Sequence, residues 1–194
     1  CIKSFKLYTS IDNWGPKAEY IRTGLDLELW EKNLDYFLSK TPFSVIFMIT
    51  FNIFSVVGFN HLLEKILEWR YKYNGITEPQ VRWQKVQFDT PHLKEPHMYD
   101  MNILPKKEFM PYMESHLQFM HEYQDDRDRT KFSSLEVEKF RRVVEYMRTT
   151  EFEPAKRELA RRDFHRWFSE HDKRRDCNLV EAFPELETFF NNCA

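Results

Sequence analysis

The spacing of apolar residues changes period several times along the chain, and each change marks an element. From Ser4 to Asp12 apolar and polar residues alternate up to a turn, which predicts a buried strand. The period then becomes helical. Leu27, Trp30, Leu34, Phe37 and Leu38 line one face behind Asp26, a natural cap, and Pro42 ends the helix. Ser44 to Asn52 (SVIFMITFN) is almost continuously apolar and rich in β-branched and aromatic residues, as in a strand buried on both faces of a parallel sheet. Asn60 caps a second amphipathic helix through Leu62, Leu63, Ile66, Leu67 and Trp69, with Asn74-Gly75 as its stop. Val81 to Asp89 alternates again, with a phase slip at Gln84-Lys85, and reads as a third strand. A connection containing Pro91, Pro96 and Pro105 leads into a helix over Lys107 to Tyr123.

Strand followed by helix, three times over, predicts an α/β fold with parallel strands joined by crossovers. At Gln124 to Lys131 (QDDRDRTK) the composition shifts to a charged linker. Ser133 and Glu136 then form a capping box ahead of a helix through Leu135, Phe140, Val143, Val144 and Met147. Further helices are expected over Pro154 to His171 and Pro184 to Asn192, and the stripe Phe164, Trp167, Phe168 is expected to pack inward. The chain thus divides into an α/β part, 1–123, and an α-helical extension, 124–194.

Composition narrows the function classes. With 194 residues, 42% hydrophobic and 16% aromatic, one sizeable core is expected. The formal charge of -2, from 29 basic and 31 acidic residues, gives no chain-wide reason to expect nucleic acid or an anionic membrane as partner. The most apolar run, Phe43 to Phe59, is broken by Thr50, Asn52, Ser55 and Gly58 and falls short of the ~20 apolar residues of a membrane helix. Cys1, Cys177 and Cys193 are an odd number without a CxxC pair, which points to a reducing, cytoplasmic compartment and excludes a cysteine-only four-ligand metal site within the chain. The start on Cys1, a few residues before strand-like sequence, reads as a piece of a longer chain.

Candidate chemistry gathers at the strand ends. Ligands of parallel α/β sheets sit beyond the carboxyl ends of the strands. Here those ends carry Thr9, Ser10 and Asp12, then Thr50 and Asn52, then Gln87, Asp89 and Thr90. Each could instead form an Asx turn or cap the next helix. Arg22, alone in the first connection, adds a planar guanidinium able to hold a carboxylate through two parallel hydrogen bonds. Other constellations are weaker. His116 and His121 lie about 140° apart round a helix, too far for a metal pair, and read as surface histidines. His92 and His97, flanking Glu95, read as loop polarity, with a metal site as the alternative. Arg161, Arg162, Arg166, Lys173, Arg174 and Arg175 interleave with Glu158, Asp163, Glu170 and Asp172, a salt-bridged surface whose sharper alternative is a local nucleic-acid or anionic-substrate face. No Gly-rich phosphate loop and no Gly-x-Ser-x-Gly elbow is present.

The block KLYTSIDNWGPKAEYIRTGLDLELWEKNLDYFL resembles the fourth strand and following helix of radical S-adenosylmethionine (SAM) enzymes, and is especially similar to their twitch-domain branch. FMITFNIFSV and VQFDTPHLKEPHMYDMNILPKKEF resemble that branch's fifth and sixth strands, while FRRVVEYM and NLVEAFPELETFF resemble its C-terminal region. The resemblance implies the C-terminal half of a partial (β/α)6 barrel, three βα units followed by a helical extension. It implies that Ser10 hydrogen-bonds the SAM ribose or carboxylate, that Arg22 pairs with the methionyl carboxylate, and that Asn52 faces the cofactor. Gln87 and Asp89 would line the adenosyl or substrate side, and Asp12 would order the turn. No catalytic residue or metal ligand is implied within these residues. The family's CxxxCxxC loop and Gly-Gly-Glu-Pro strand do not occur in the 194 residues, so the ligands of the [4Fe-4S] cluster are expected upstream, on the missing N-terminal half of the barrel. Complete, such an enzyme reductively cleaves SAM to a 5'-deoxyadenosyl radical that abstracts hydrogen from a small-molecule or peptide substrate; this part alone would be inactive. The alternative is a non-catalytic α/β module that binds a partner through its helical tail.

Overall fold

The computed structural model describes residues 5–74 and 84–194. They form a mixed α/β fold in the order β1 (Lys6–Ser10), α1 (Pro16–Ile21), α2 (Leu27–Lys40), β2 (Ser44–Met48), α3 (Phe59–Asn74), β3 (Val86–Asp89), α4 (Lys106–Glu122), α5 (Ser134–Thr149), α6 (Pro154–Arg175), α7 (Leu179–Ala182) and α8 (Glu187–Asn191). The three strands make one parallel sheet whose spatial order, β1-β2-β3, follows the chain. Ser4, Gly75 and Val81 to Trp83, which the sequence assigned to strand or helix ends, lie outside the described residues. Among the described residues no helix is long and apolar enough to cross a membrane.

The two faces of the sheet are unlike. Val45, Phe47, Val86 and Phe88 point into the core, and the Phe47 ring packs against Trp30 of α2 and Trp69 of α3 at 5.8 and 5.2 Å. On the same face the Trp30 indole N–H donates to the Thr9 hydroxyl at 3.2 Å. The opposite face carries two rows in strict register, Tyr8–Ile46–Gln87 and Ser10–Met48–Asp89. None of these six residues is buried, and Tyr8 is 59% exposed. Exposure is concentrated on the edge strand at Tyr8 and Ser10, while Ile46, Met48, Gln87 and Asp89 are half-buried, so this face is less fully covered than is usual for a parallel sheet.

This corrects two sequence expectations. The first strand is a half-exposed edge strand, with Lys6, Tyr8 and Ser10 all in solvent. The second ends at Met48, and within it only Val45 and Phe47 are buried. A continuous apolar run carries no alternation to say where a strand stops. The remainder, from Ile49 to Gly58, forms a connection buried at every position but Thr50. Asn13, wholly buried, holds that connection by donating to the carbonyls of Phe54 and Val57 at 3.1 and 2.8 Å. Gly58 makes the approach possible: its φ is 84°, and a Cβ there would lie 3.1 Å from both Asn13 Oδ1 and Lys17 Cδ.

Local capping positions the helices. The Asp26 carboxylate accepts from the Leu29 amide at 2.8 Å to start α2, and Ser133 and Glu136 complete a reciprocal capping box at α5. α1, which the sequence left as connection, begins on Pro16 after Gly15 at φ 67°. α6 runs four residues past the expected His171 and stops where Asp176 adopts φ 50°. Of its aromatic stripe, Phe164 and Phe168 are buried but Trp167 is 55% exposed. The crossover residue Phe54 joins the two parts of the chain, since its ring meets Tyr20, Tyr99, Phe164, Phe168 and Phe183 with centroids 4.8 to 6.4 Å away.

Candidate functional site

The carboxyl edge of the sheet is where the open face meets the connections. Just beyond β1, buried Asp12 accepts from Arg22 Nη2 at 2.7 Å through one oxygen and from the Thr50 amide at 2.9 Å through the other. It therefore links the ends of β1 and β2 and fixes the guanidinium beside them. Burial pushes the Asp12 pKa above the ordinary carboxylate range, while the Arg22 charge and the Thr50 amide pull it back. The backbone sets up this geometry locally. The Arg22 amide closes α1 on the Ala18 carbonyl, and Gly24, at φ 86°, turns the chain into α2.

Arg22 is incompletely satisfied. Its side chain is 34% exposed, yet its Nε is buried with no acceptor. A buried N–H without a partner costs about 1–3 kcal/mol. A ligand that brought an acceptor would recover part of that cost.

The structure brings some of the sequence-identified residues together and not others. Ser10 and Asp89 stand in one row on either side of Met48, with Gln87 one row back. Ser10 is exposed, while Asp89 accepts from Lys139 of α5 at 3.0 Å and from the Thr90 amide at 3.0 Å. The Gln87 side-chain Nε2 donates to the Gln84 carbonyl at 2.9 Å. Asn52 is engaged within its own turn: its Nδ2 donates to the Thr50 carbonyl, its Oδ1 accepts from the Phe54 amide, and its own amide donates to the Ser55 hydroxyl.

A polar cluster past β3 was not foreseen. The His92 ring lies 4.3 Å from that of Tyr146, whose hydroxyl donates to buried Asp100 at 2.6 Å. Asp100 also accepts from the amide and side chain of Asn102, both at 2.9 Å. Burial lowers the His92 pKa, with Lys94 adding to the effect and Asp100 opposing it; burial and Asp100 raise that of Tyr146. His97 pairs with Glu95 at 3.1 Å. His116, read as a surface residue, is 1% exposed, because it shares the buried face of α4 with Phe109, Met113 and Met120, and its Nε2 meets the Val56 carbonyl at 2.9 Å. The signal was in the spacing, since Phe109, Met113, His116 and Met120 fall at i, i+4, i+7 and i+11 on one helical face.

Two implied groups fare differently when tested against these residues. The orphaned Arg22 Nε and the open row ending in Ser10 fit a polar ligand bearing a carboxylate, as SAM does. Cys177 and Cys193, both in the C-terminal helical region, do not fit a three-thiolate iron-sulfur site. Chemically, the edge offers a cation, a hydroxyl, a carboxylate and an amide. That set suits binding and orientation, and contains no nucleophile paired with a base. Comparison of the chain with models of protein families, with curated proteins and with solved structures found no match to any of them.

Proposed function

We propose that this chain is the C-terminal half of a radical SAM barrel, three βα units of a partial (β/α)6 barrel with a helical extension, and that it binds SAM. The observation that carries the reading is Arg22, anchored by Asp12 at the carboxyl edge of a parallel sheet with a buried Nε lacking an acceptor. The partly exposed second face of the sheet supports it too, because the inner face of a barrel is the one that meets ligand and neighbouring strands.

In this reading Arg22 holds the methionyl carboxylate and Ser10 hydrogen-bonds the ribose or carboxylate, while Asn52 shapes the loop facing the cofactor. Gln87 and Asp89 form the wall on the adenosyl or substrate side, and the sheet excludes water behind the bound molecule. SAM, once cleaved by an electron from an iron-sulfur cluster, would supply the oxidising power to remove hydrogen from a substrate. In this reading the cluster's ligands belong to sequence outside these 194 residues.

The test is SAM affinity of the full-length protein with and without Arg22→Ala. Losing a charge-assisted contact should weaken binding by ~1.5 to 3 kcal/mol, roughly 10- to 150-fold. An unchanged dissociation constant would sink the assignment of Arg22, and a full-length protein that does not bind SAM at all would sink the whole reading. The second reading, a non-catalytic module acting through its helical tail, draws on the groove along α6 bordered by exposed Trp167 with Arg166 and Arg174.

A further inference from the structure

At the C-terminal end of α6, against Tyr20 of α1, three different metal-ligating side chains converge. His171 and Asp172 occupy the last turn of the helix, and the left-handed residue Asp176 reverses the chain so that Cys177 returns towards them. Cys177 Sγ lies 3.7 Å from His171 Nδ1 and 3.6 Å from Asp172 Oδ1, and the last two atoms are 3.1 Å apart. With Zn–S bonds near 2.3 Å and Zn–N and Zn–O bonds near 2.0 Å, a tetrahedral ion requires S···N and S···O edges of about 3.5 Å and an N···O edge of about 3.3 Å. The three side chains already form that triangle to within a few tenths of an ångström.

The hydrogen bonding points the same way. Asp172 Oδ1 is approached by the Tyr20 hydroxyl at 2.6 Å, by His171 Nδ1 and by the Cys177 thiol. Three prospective donors thus meet one carboxylate oxygen, more than its two lone pairs accommodate well. A cation that replaces the thiol proton and binds Nδ1 with the ring proton moved to Nε2 removes that excess, leaving Tyr20 as the outer partner that orients the ligand oxygen. Asp172 Oδ2 is held separately by the Leu179 amide at 2.6 Å, so the carboxylate is fixed before any ion arrives.

We propose that His171, Asp172 and Cys177 bind a single divalent cation of zinc-like character, with the fourth position facing the groove along α6. One nitrogen, one thiolate and one carboxylate suit zinc better than calcium or magnesium, which prefer oxygen alone. The ligands are partly exposed, at 19% for the His171 side chain and 18% for that of Asp172, and His171 lines the groove, so an ion has access. Binding forms Zn–S, Zn–N and Zn–O bonds and releases the thiol proton to solvent, with no change of oxidation state. The ion would tie α6 to the start of α7 and, through Tyr20, to α1. This site is independent of the SAM reading.

The test is zinc-dependent protection of Cys177 against a thiol-alkylating reagent, resolved by peptide mass spectrometry on the chelator-treated protein. The expected result is at least tenfold slower alkylation of Cys177 with one equivalent of Zn²⁺, no comparable change at Cys193, and loss of the protection in His171→Phe. That substitution keeps a ring against Tyr20 and Phe168, which His171 contacts at 5.2 and 5.8 Å. A companion variant, Cys177→Ser, should lower zinc affinity at least tenfold in competition with a chromophoric chelator, with the circular dichroism spectrum unchanged. Alkylation of Cys177 that ignores zinc would overturn the proposal, as would protection that persists in His171→Phe.

Discussion

Two arginine–carboxylate pairs, Arg22 with Asp12 at the sheet edge and Arg70 with Glu136 in the core, differ in how completely the arginine is used. Arg70, with none of its surface exposed, donates from Nε to the Val86 carbonyl, from Nη1 to the Lys131 carbonyl and Glu136, and from Nη2 to Glu136 at 2.6 Å. Its guanidinium carbon also lies 5.6 Å from the ring centroids of both Phe88 and Phe132. Arg22 makes one side-chain ion pair and keeps an Nε without an acceptor. The same functional group is thus consumed by the fold in one place and left with unused donors in the other. Saturation commits Arg70 to the fold, while the unused donor of Arg22 is what the proposed binding role draws on.

The largest effect that would test this contrast is at Glu136, which serves Arg70 and the α5 capping box at once. Glu136→Gln leaves a buried guanidinium without a counter-charge and should lower stability by about 3 to 5 kcal/mol in chemical denaturation. A loss below about 1 kcal/mol would erase the distinction between the two arginines. His116 extends the contrast to a buried group whose charge has no counter-ion. Burial lowers its pKa to about 4, with the Val56 carbonyl opposing and His61 reinforcing. The unfolded chain therefore takes up the proton first as pH falls. Stability contributed by the neutral ring is complete above about 6.5 and is lost down to about 4, by about 3 kcal/mol in all. His116→Gln should flatten that part of a stability–pH curve, and an unaltered curve would exclude His116 as its origin.

At the sheet edge the effect on folding should be smaller and of opposite sign with pH. The folded pKa of Asp12 is already raised by burial, and Arg22→Ala removes the charge that pulls it back. The native state then holds the proton more tightly than the unfolded chain, so the variant loses stability as pH rises from the acid range through the folded pKa. The loss relative to the parent should be on the order of 1 to 2 kcal/mol at neutral pH, and Asp12→Asn in the same background should abolish its pH dependence. Smallest is Asp26→Ala, which deletes an exposed N-cap and should cost about 0.5 to 1 kcal/mol in thermal unfolding.

Features encoded within a few residues were legible in the sequence. Asp26 and the Ser133–Glu136 box announced their helices because cap and amide are three positions apart, and repeated strand-helix alternation was enough for the parallel order. Ser10 and Asp89 could be read as strand-end residues because their strands stop there. What depended on long-range partners was not legible. Arg70 and Glu136 are 66 positions apart, and nothing near either names the other. The pairing of Asp12 with Thr50 required the register of two strands, and the end of β2 was hidden by the apolar run that continues beyond it. The His171, Asp172 and Cys177 cluster needed the left-handed turn at Asp176, which a non-glycine residue does not advertise.

Phe54 carries a consequence for the making of the protein on the ribosome. Its ring is enclosed by Phe164, Phe168 and Phe183, over a hundred residues later in the chain. At bacterial-to-eukaryotic elongation rates that pocket stays unfilled for roughly 5 to 25 seconds of synthesis. The crossover after β2 emerges early as an apolar segment and finds its cover last, so nascent chains stalled before α6 would be the ones that need a chaperone.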